Sequence, residues 1–204
     1  MTRIYNIRHG QSEANRLRIL AGHTDFPLSS LGVRQAHLTA QYLKDVQIEA
    51  IYSSPLCRAR VTGEANLSYH DVPFFVHEGL IETYLGEWEE VAKRDLEEDS
   101  MYRTFCTTYI DTVFPGGESV RDAGARYGRA LCEIASRHPD ASIIVASHAG
   151  VIRALWGELR GLSPDAYASD LFFPSNASVT VFDFDGERLI PVSYSIDEHL
   201  SALS

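Results

Sequence analysis

Residues 142–147 read Ser-Ile-Ile-Val-Ala-Ser, a short run that puts apolar side chains on both faces of any strand it forms. Such a strand has to be covered above and below, which places it at the centre of a mostly parallel sheet with helices on either side. Residues 3–7 alternate polar and apolar in a β-branched and aromatic run, a second strand that Gly10 breaks. Residues 48–53 and 72–76 are further strand candidates, and 179–184 and 189–194 flank Asp185-Gly186, a hairpin signal. Helical spacing joins Val33, Ala36, Ala40 and Leu43 behind a Ser29 cap, and a helix opens over 56–60 after Ser54-Pro55. Pro115-Gly116-Gly117 precedes a long helix capped by Ser119 with Asp122, striped by Val120, Ala123, Tyr127, Leu131 and Ile134, and weakened by Gly124 and Gly128 unless they permit close packing. Ala149-Gly150 opens another, and Ser163-Pro164 a short last one. Residues 17–27 read as loop, 93–101 as a solvated acidic helix face, and 102–113 as mixed helix whose Tyr102, Phe105 and Tyr109 suit a core better than a pocket. The expected architecture is α/β: a three-layer α/β/α sandwich with a mostly parallel central sheet and its ligand site outside the carboxyl ends of the strands.

Composition narrows what such a sheet would serve. No shift in it marks a boundary within the 204 residues, so one domain over 1–204 is expected. Met1-Thr2-Arg3 leads straight into strand with no apolar secretory segment, which gives a cytoplasmic expectation. Cys57, Cys106 and Cys132 are odd in number and widely spaced, the pattern of reduced thiols and not of a disulfide framework or zinc site. A net charge of −10 argues against nucleic acid and anionic membranes as partners, so any phosphate must be held by a local basic cluster. Oligomeric state is left open, a homodimer being one option.

The strand tips carry the chemistry. Arg8 offers a fork of donors suited to phosphate, His9 a nucleophilic ring nitrogen, Gly10 a close backbone approach, and Ser12 and Asn15 short donors. Alone, Arg-His-Gly is a weak signal. Arg58 falls near a helix N-terminus, where free N–H groups and the dipole favour an anion, although most arginines are solvated surface charges. His148 follows the central strand as His9 follows the first, and a phosphoryl site needs a nucleophile and cations together at one place. Among the carboxylates, Glu82 stands out between Leu80-Ile81 and Tyr84-Leu85, where partial burial would favour the neutral acid.

These residues belong to five ordered motifs: Arg8-His9-Gly10-Gln11-Ser12 with Asn15, and 22–29 with Gly32; Ser53-Ser54-Pro55-Leu56-Cys57-Arg58-Ala59; Glu82 ahead of Gly86-Glu87-Trp88-Glu89; Pro115-Gly116-Gly117-Glu118-Ser119; and Ser147-His148-Ala149-Gly150-Val151-Ile152-Arg153. Together they resemble the histidine phosphatase superfamily, whose members include cofactor-dependent phosphoglycerate mutases and small phosphomonoesterases. The resemblance implies a phosphoglycerate mutase-like fold with His9 as nucleophile, Arg8, Arg58 and His148 completing a phosphate pocket, and Glu82 as proton donor. It further implies substrate contacts from Arg8, Ser12, Asn15, Gly22, His23, Arg58 and Ala149, a small phosphomonoester as substrate, no metal and no cofactor, and residues 83–114 as a short cap. His9 would then need its second ring nitrogen held by an acceptor such as a backbone carbonyl, with Arg8 and Arg58 lowering its pKa by like-charge repulsion. Ala149 and Glu90 stand where the family commonly has glycine.

Three readings follow: a phosphomonoester hydrolase working through phosphohistidine, a phosphoglycerate mutase, and a module that binds phosphorylated ligands without catalysis. A mutase needs a long cationic cover to shield its intermediate. Residues 83–114 are few, with Lys93, Arg94 and Arg103 set against Glu87, Glu89, Glu90, Asp95, Glu97, Glu98, Asp99 and Asp111, which favours the hydrolase. Should those acids all face solvent, only the length argument remains.

Overall fold

Six strands form one sheet: β1 Thr2–Arg8, β2 Ala50–Ser53, β3 Phe74–Val76, β4 Ser142–Ser147, β5 Val179–Phe184 and β6 Leu189–Ile196, in the spatial order β3-β2-β4-β1-β5-β6. The computed structural model describes residues 1–107 and 109–203. Position 108 of the segments expected over 102–113 and 83–114, and position 204 of the expected domain, therefore lie outside the described residues. As its two-faced pattern requires, β4 is buried from Ile143 to Ser147 and pairs in parallel with β1 on one side and β2 on the other. β5 and β6 close that edge antiparallel, joined through Gly186 at φ 107, a left-handed conformation that glycine adopts without strain.

Seven helices cover the sheet among the described residues: α1 Glu13–Leu17, α2 Ser30–Leu43, α3 Cys57–Glu64, α4 Ser100–Thr107, α5 Val120–Ser136, α6 Ala149–Leu159 and α7 Pro164–Ser169. The period-2 alternation of the strands decides which face each residue serves. Ile4, Ile143 and Val145 pack with Leu131 and Ile134 of α5 and Ile152 and Leu155 of α6. Ile7, Ile51 and Ile144 face the other way, with Leu43 of α2. Gly124 earns its place where α5 crosses α6, because a Cβ there would stand 2.9 Å from that of Ala154. A third apolar cluster joins Trp88, Leu96, Ile110 and Phe114 to Ala154 of α6 and Tyr167 of α7, and it fixes the segment after Glu82 over the strand tips.

Several expectations shift. Helix α1 begins before the expected loop, because Ser12 and Asn15 close a reciprocal capping box around its first turn. Residues 93–101 are not one helix: Lys93–Leu96 make a 3-10 turn that buries Leu96, and α4 starts at Ser100. Val33 is exposed although its spacing placed it on the apolar stripe of α2. No helix among the described residues is long and apolar enough to cross a membrane.

Candidate active site

Because β1 and β4 are parallel neighbours with Arg8 opposite Ser147, His9 and His148 leave the sheet side by side, their ring centroids 5.2 Å apart. His9 is only 5% exposed. Its Nδ1 lies 2.7 Å from the carbonyl of Gly10 and donates to it, which leaves the Nε2 lone pair directed elsewhere. Gly10 serves packing, not ligand approach: a Cβ there would come within 2.3 Å of the Gly32 carbonyl oxygen of α2. The His9 pKa lies well below the ordinary 6.5, first because burial penalises the imidazolium and then because Arg58 and Arg8 repel it. Burial therefore outranks the charge repulsion expected from sequence. As pH falls through 6.5 the free imidazole would protonate while His9 stays neutral, so ring 15N shifts should report an unchanged Nδ1–H tautomer there. An imidazolium signal for His9 at pH 6.5 would contradict this.

Arg58 is 1% exposed, not a solvated charge. Its Nη1 and Nη2 donate to the carbonyls of Thr24 (2.9 Å) and Gly22 (2.7 Å), while Arg8 donates through Nη1 to the Pro174 carbonyl. The Nε atoms of both guanidiniums are buried without a protein partner. Burial lowers the pKa of each, Arg8 to about 10, and a guanidinium is cationic at neutral pH. The α3 N-terminus is not the anion site that its sequence suggested. Asp25 Oδ1 takes the Cys57 N–H at 2.8 Å and Ser54 Oγ the Leu56 N–H at 3.3 Å, so those donors are already satisfied.

The helix N-terminus that meets the site belongs to α6. Glu82 Oε1 accepts from the N–H groups of Thr83 (2.8 Å) and Val151 (3.2 Å), and Oε2 from that of Gly150 (3.0 Å). A Cβ on Gly150 would lie 2.5 Å from Oε1, so this glycine makes room for the carboxylate. Behind Glu82, its backbone carbonyl accepts from Arg126 Nη2 at 3.1 Å and lies 2.8 Å from His23 Nε2. Arg126 also holds the carbonyls of Gly79 and Ile81 and pairs with Glu118. Glu89 receives the N–H groups of His23, Thr24 and Leu85, which ties the loop held by Arg58 to the segment that carries Glu82.

A cavity of about 250 Å³ collects Arg8, His9, Ser12, Asn15, Gly22, Arg58, Glu82 and Ala149 in its lining. Two expected residues do not reach it. His23 is turned onto the Glu82 carbonyl with its ring tilted against that of Tyr84, and His148 is wholly buried, with Nε2 at 2.7 Å from Ser54 Oγ and Nδ1 unpartnered. Ser12 and Asn15 line the cavity but spend part of their capacity on the capping box. Ala149 needs no glycine, since it opens α6 with ordinary helical backbone; Glu90 does occupy a glycine-like position, at φ 65, with a cost of about 1 kcal/mol. None of the acids from Glu87 to Asp111 lines the cavity, so only the length argument against a mutase survives. Lys93, Phe105, Tyr109, Phe114 and Phe173 do line it. The aromatic spacing over 102–109 pointed to Phe105 and Tyr109, along with Tyr102, which stays out of the lining, but a core and a pocket wall leave the same pattern; no signal singled out Phe114 or Phe173, and Lys93 was hidden in an acidic run. A wider hollow of about 590 Å³ lies at the opposite end of the sheet, where Arg3 is paired with Asp183 and the Met1 terminus with Asp140.

Comparison with known proteins gives a consistent picture. The sequence profile described as Histidine phosphatase superfamily (branch 1) matches residues 4–197. The uncharacterized phosphatase PhoE of Bacillus subtilis (strain 168) is 29% identical over 201 residues, covering 98% of this chain and 98% of that one. The metal-independent phosphoserine phosphatase of Arabidopsis thaliana is 31% identical over 211 residues, covering 100% of this chain and 85% of its own length. Among solved structures, Bacillus stearothermophilus YhfR superposes with a TM-score of 0.91 at 25% identity, covering 98% of this chain and 100% of that one.

Proposed function

The chain belongs to the histidine phosphatase superfamily (branch 1) and is a phosphatase, and from that premise we propose that it hydrolyses a small phosphomonoester without metal by passing the phosphoryl group through His9. The observation that carries this reading is that two buried guanidiniums, Arg8 and Arg58, line one cavity with His9, whose Nδ1 is tied to Gly10 and whose Nε2 is left free. Two buried cations favour an anion, and a neutral imidazole favours attack. Nε2 donates its lone pair to phosphorus, the bond to the ester oxygen breaks, and Arg8 and Arg58 hold the equatorial oxygens as charge moves through the transition state. His148, held on Ser54 outside the cavity, takes no direct step in this reading. The leaving oxygen takes its proton from Glu82. Water then attacks phosphorus, the P–N bond breaks, and Glu82 takes the water proton.

Freedom from metal is supported by the name of the Arabidopsis relative, a metal-independent phosphoserine phosphatase. We read 1–204 as one catalytic unit in which residues 83–114 cap the strand tips. A mutase is the second reading, and the shortness of that cap weighs against it. The test supplies 3-phosphoglycerate with catalytic bisphosphoglycerate, and separately a panel of phosphomonoesters, all in the presence of chelator, following phosphate release and isomer formation together. Phosphate release that survives chelation is expected. Isomerisation far faster than hydrolysis of the best ester, or activity that vanishes with chelator and returns with metal, would overturn the assignment.

A further inference from the structure

Arg153 closes the last motif of the sequence yet has no part in the chemistry above. It is 6% exposed and pairs with no carboxylate among the described residues. Its Nε donates to the Leu171 carbonyl at 2.9 Å and its Nη2 to that of Tyr167. Its guanidinium carbon lies 4.0 Å from the ring centroid of Tyr109 and 4.4 Å from that of Phe173, so one cation holds two rings by their faces. Those rings meet each other edge to face at 5.3 Å, and Phe105 continues the wall at 5.4 Å from Tyr109 and 5.6 Å from Phe114.

All four rings line the cavity that Arg8, His9 and Arg58 also line. The Tyr109 hydroxyl is committed to the Gly150 carbonyl at 2.9 Å, so Tyr109 offers the cavity ring carbon and not a hydrogen bond. Besides Arg8, Arg58 and Glu82, Lys93 is the one charged residue in the lining among the described residues, and burial followed by repulsion from Arg8 lowers its pKa. An alcohol rich in hydroxyls would give up water here with little to replace it, whereas an apolar body would gain by leaving water.

Resting on the phosphomonoesterase reading, we propose that this wall is the leaving-group subsite, that the preferred substrates are phosphomonoesters of alcohols with an aromatic or bulky apolar body, and that Arg153 is the positioning residue that keeps Tyr109 and Phe173 in place. The selection is made by fixed rings that lose little freedom on binding, next to a phosphate site that reads every phosphomonoester alike.

The experiment measures phosphate release by the purified protein from 2-phenylethyl phosphate, ethyl phosphate and glycerol 1-phosphate, whose alcohols are close enough in acidity that leaving-group chemistry does not decide the order. The expected kcat/KM for the phenylethyl ester exceeds both others by at least about tenfold. Calorimetry without turnover, comparing benzylphosphonate with methylphosphonate, should show the same preference. Phe173→Ala should shrink the phenylethyl-to-ethyl ratio by about fivefold, and Arg153→Lys should raise KM for the phenylethyl ester more than for the ethyl ester. Release from all three esters at similar efficiency, or a preference for glycerol 1-phosphate, would overturn the substrate class while leaving the hydrolase standing. Release from none, with benzylphosphonate still bound more tightly, would overturn the hydrolase and keep the aromatic subsite; equal binding of both phosphonates would end the proposal outright. Equal KM changes for both esters in Arg153→Lys would remove Arg153 from the positioning role.

Discussion

His9→Ala is expected to lower phosphate release by at least about a thousandfold with the fold retained. The side chain makes one hydrogen bond, to the adjacent Gly10 carbonyl, and one ring contact, with His148, so its removal leaves the sheet and the helices over it without a lost anchor. The ring is also buried in neutral form, and a group held below its ordinary pKa contributes stability that is complete above about pH 6.5 and declines as pH falls toward the folded value. The variant should therefore lose some of the wild type's sensitivity to mild acid. Arg8 and Arg58 remain, so inorganic phosphate should still bind. Acid-quenched labelling with a phosphoester should mark the wild type and not the variant. Turnover above a few per cent of wild type, with a native circular dichroism spectrum, would sink covalent catalysis at His9.

Glu82→Gln should slow alkyl phosphates by about 10²–10⁴-fold and 4-nitrophenyl phosphate far less, since nitrophenolate departs with little protonation. The substitution keeps the volume that Gly150 accommodates. A glutamine oxygen in the Oε1 position can still accept from Thr83 and Val151, but the amide nitrogen then faces the Gly150 N–H and repels it. Some general loss of order is thus expected for every substrate, and the diagnostic quantity is the ratio between the two classes. Equal slowing of both would take Glu82 out of the acid role.

What was legible in the sequence divides along a physical line. The strands and their caps follow from local pattern: β4 from apolar residues on both faces, α2 from Ser29, α5 from Ser119, and each was placed within a few residues of its observed bounds. The cluster of Arg8, His9, Arg58 and Glu82 followed from strand tips and motif order. Partners brought in from far along the chain were not legible. Nothing local announces that Asp25 caps α3, that Gly10 exists to admit the Gly32 carbonyl, or that His148 retreats behind His9 onto Ser54. Tyr102, Phe105 and Tyr109 do join an apolar core cluster as their spacing suggested, and Phe105 and Tyr109 also line the cavity, a second role that hydrophobic spacing cannot record because it is silent on whether a residue is buried by protein or by a ligand.

The network behind Glu82 also bears on how this protein can change over generations. Glu89 and His23 each tie the loop held by Arg58 to the segment that carries Glu82, so a substitution at either disturbs the cation's setting and the carboxylate's setting together, and tolerable variants would have to arise in concert. Phe105 and Phe114 pack on each other and on Trp88, and Phe173 on Tyr109 and Arg153, all without side-chain hydrogen bonds of their own. One half of the cavity is therefore locked against piecemeal drift and the other is open to it, an arrangement in which new selectivity is within reach of single mutations while the reaction itself is held constant.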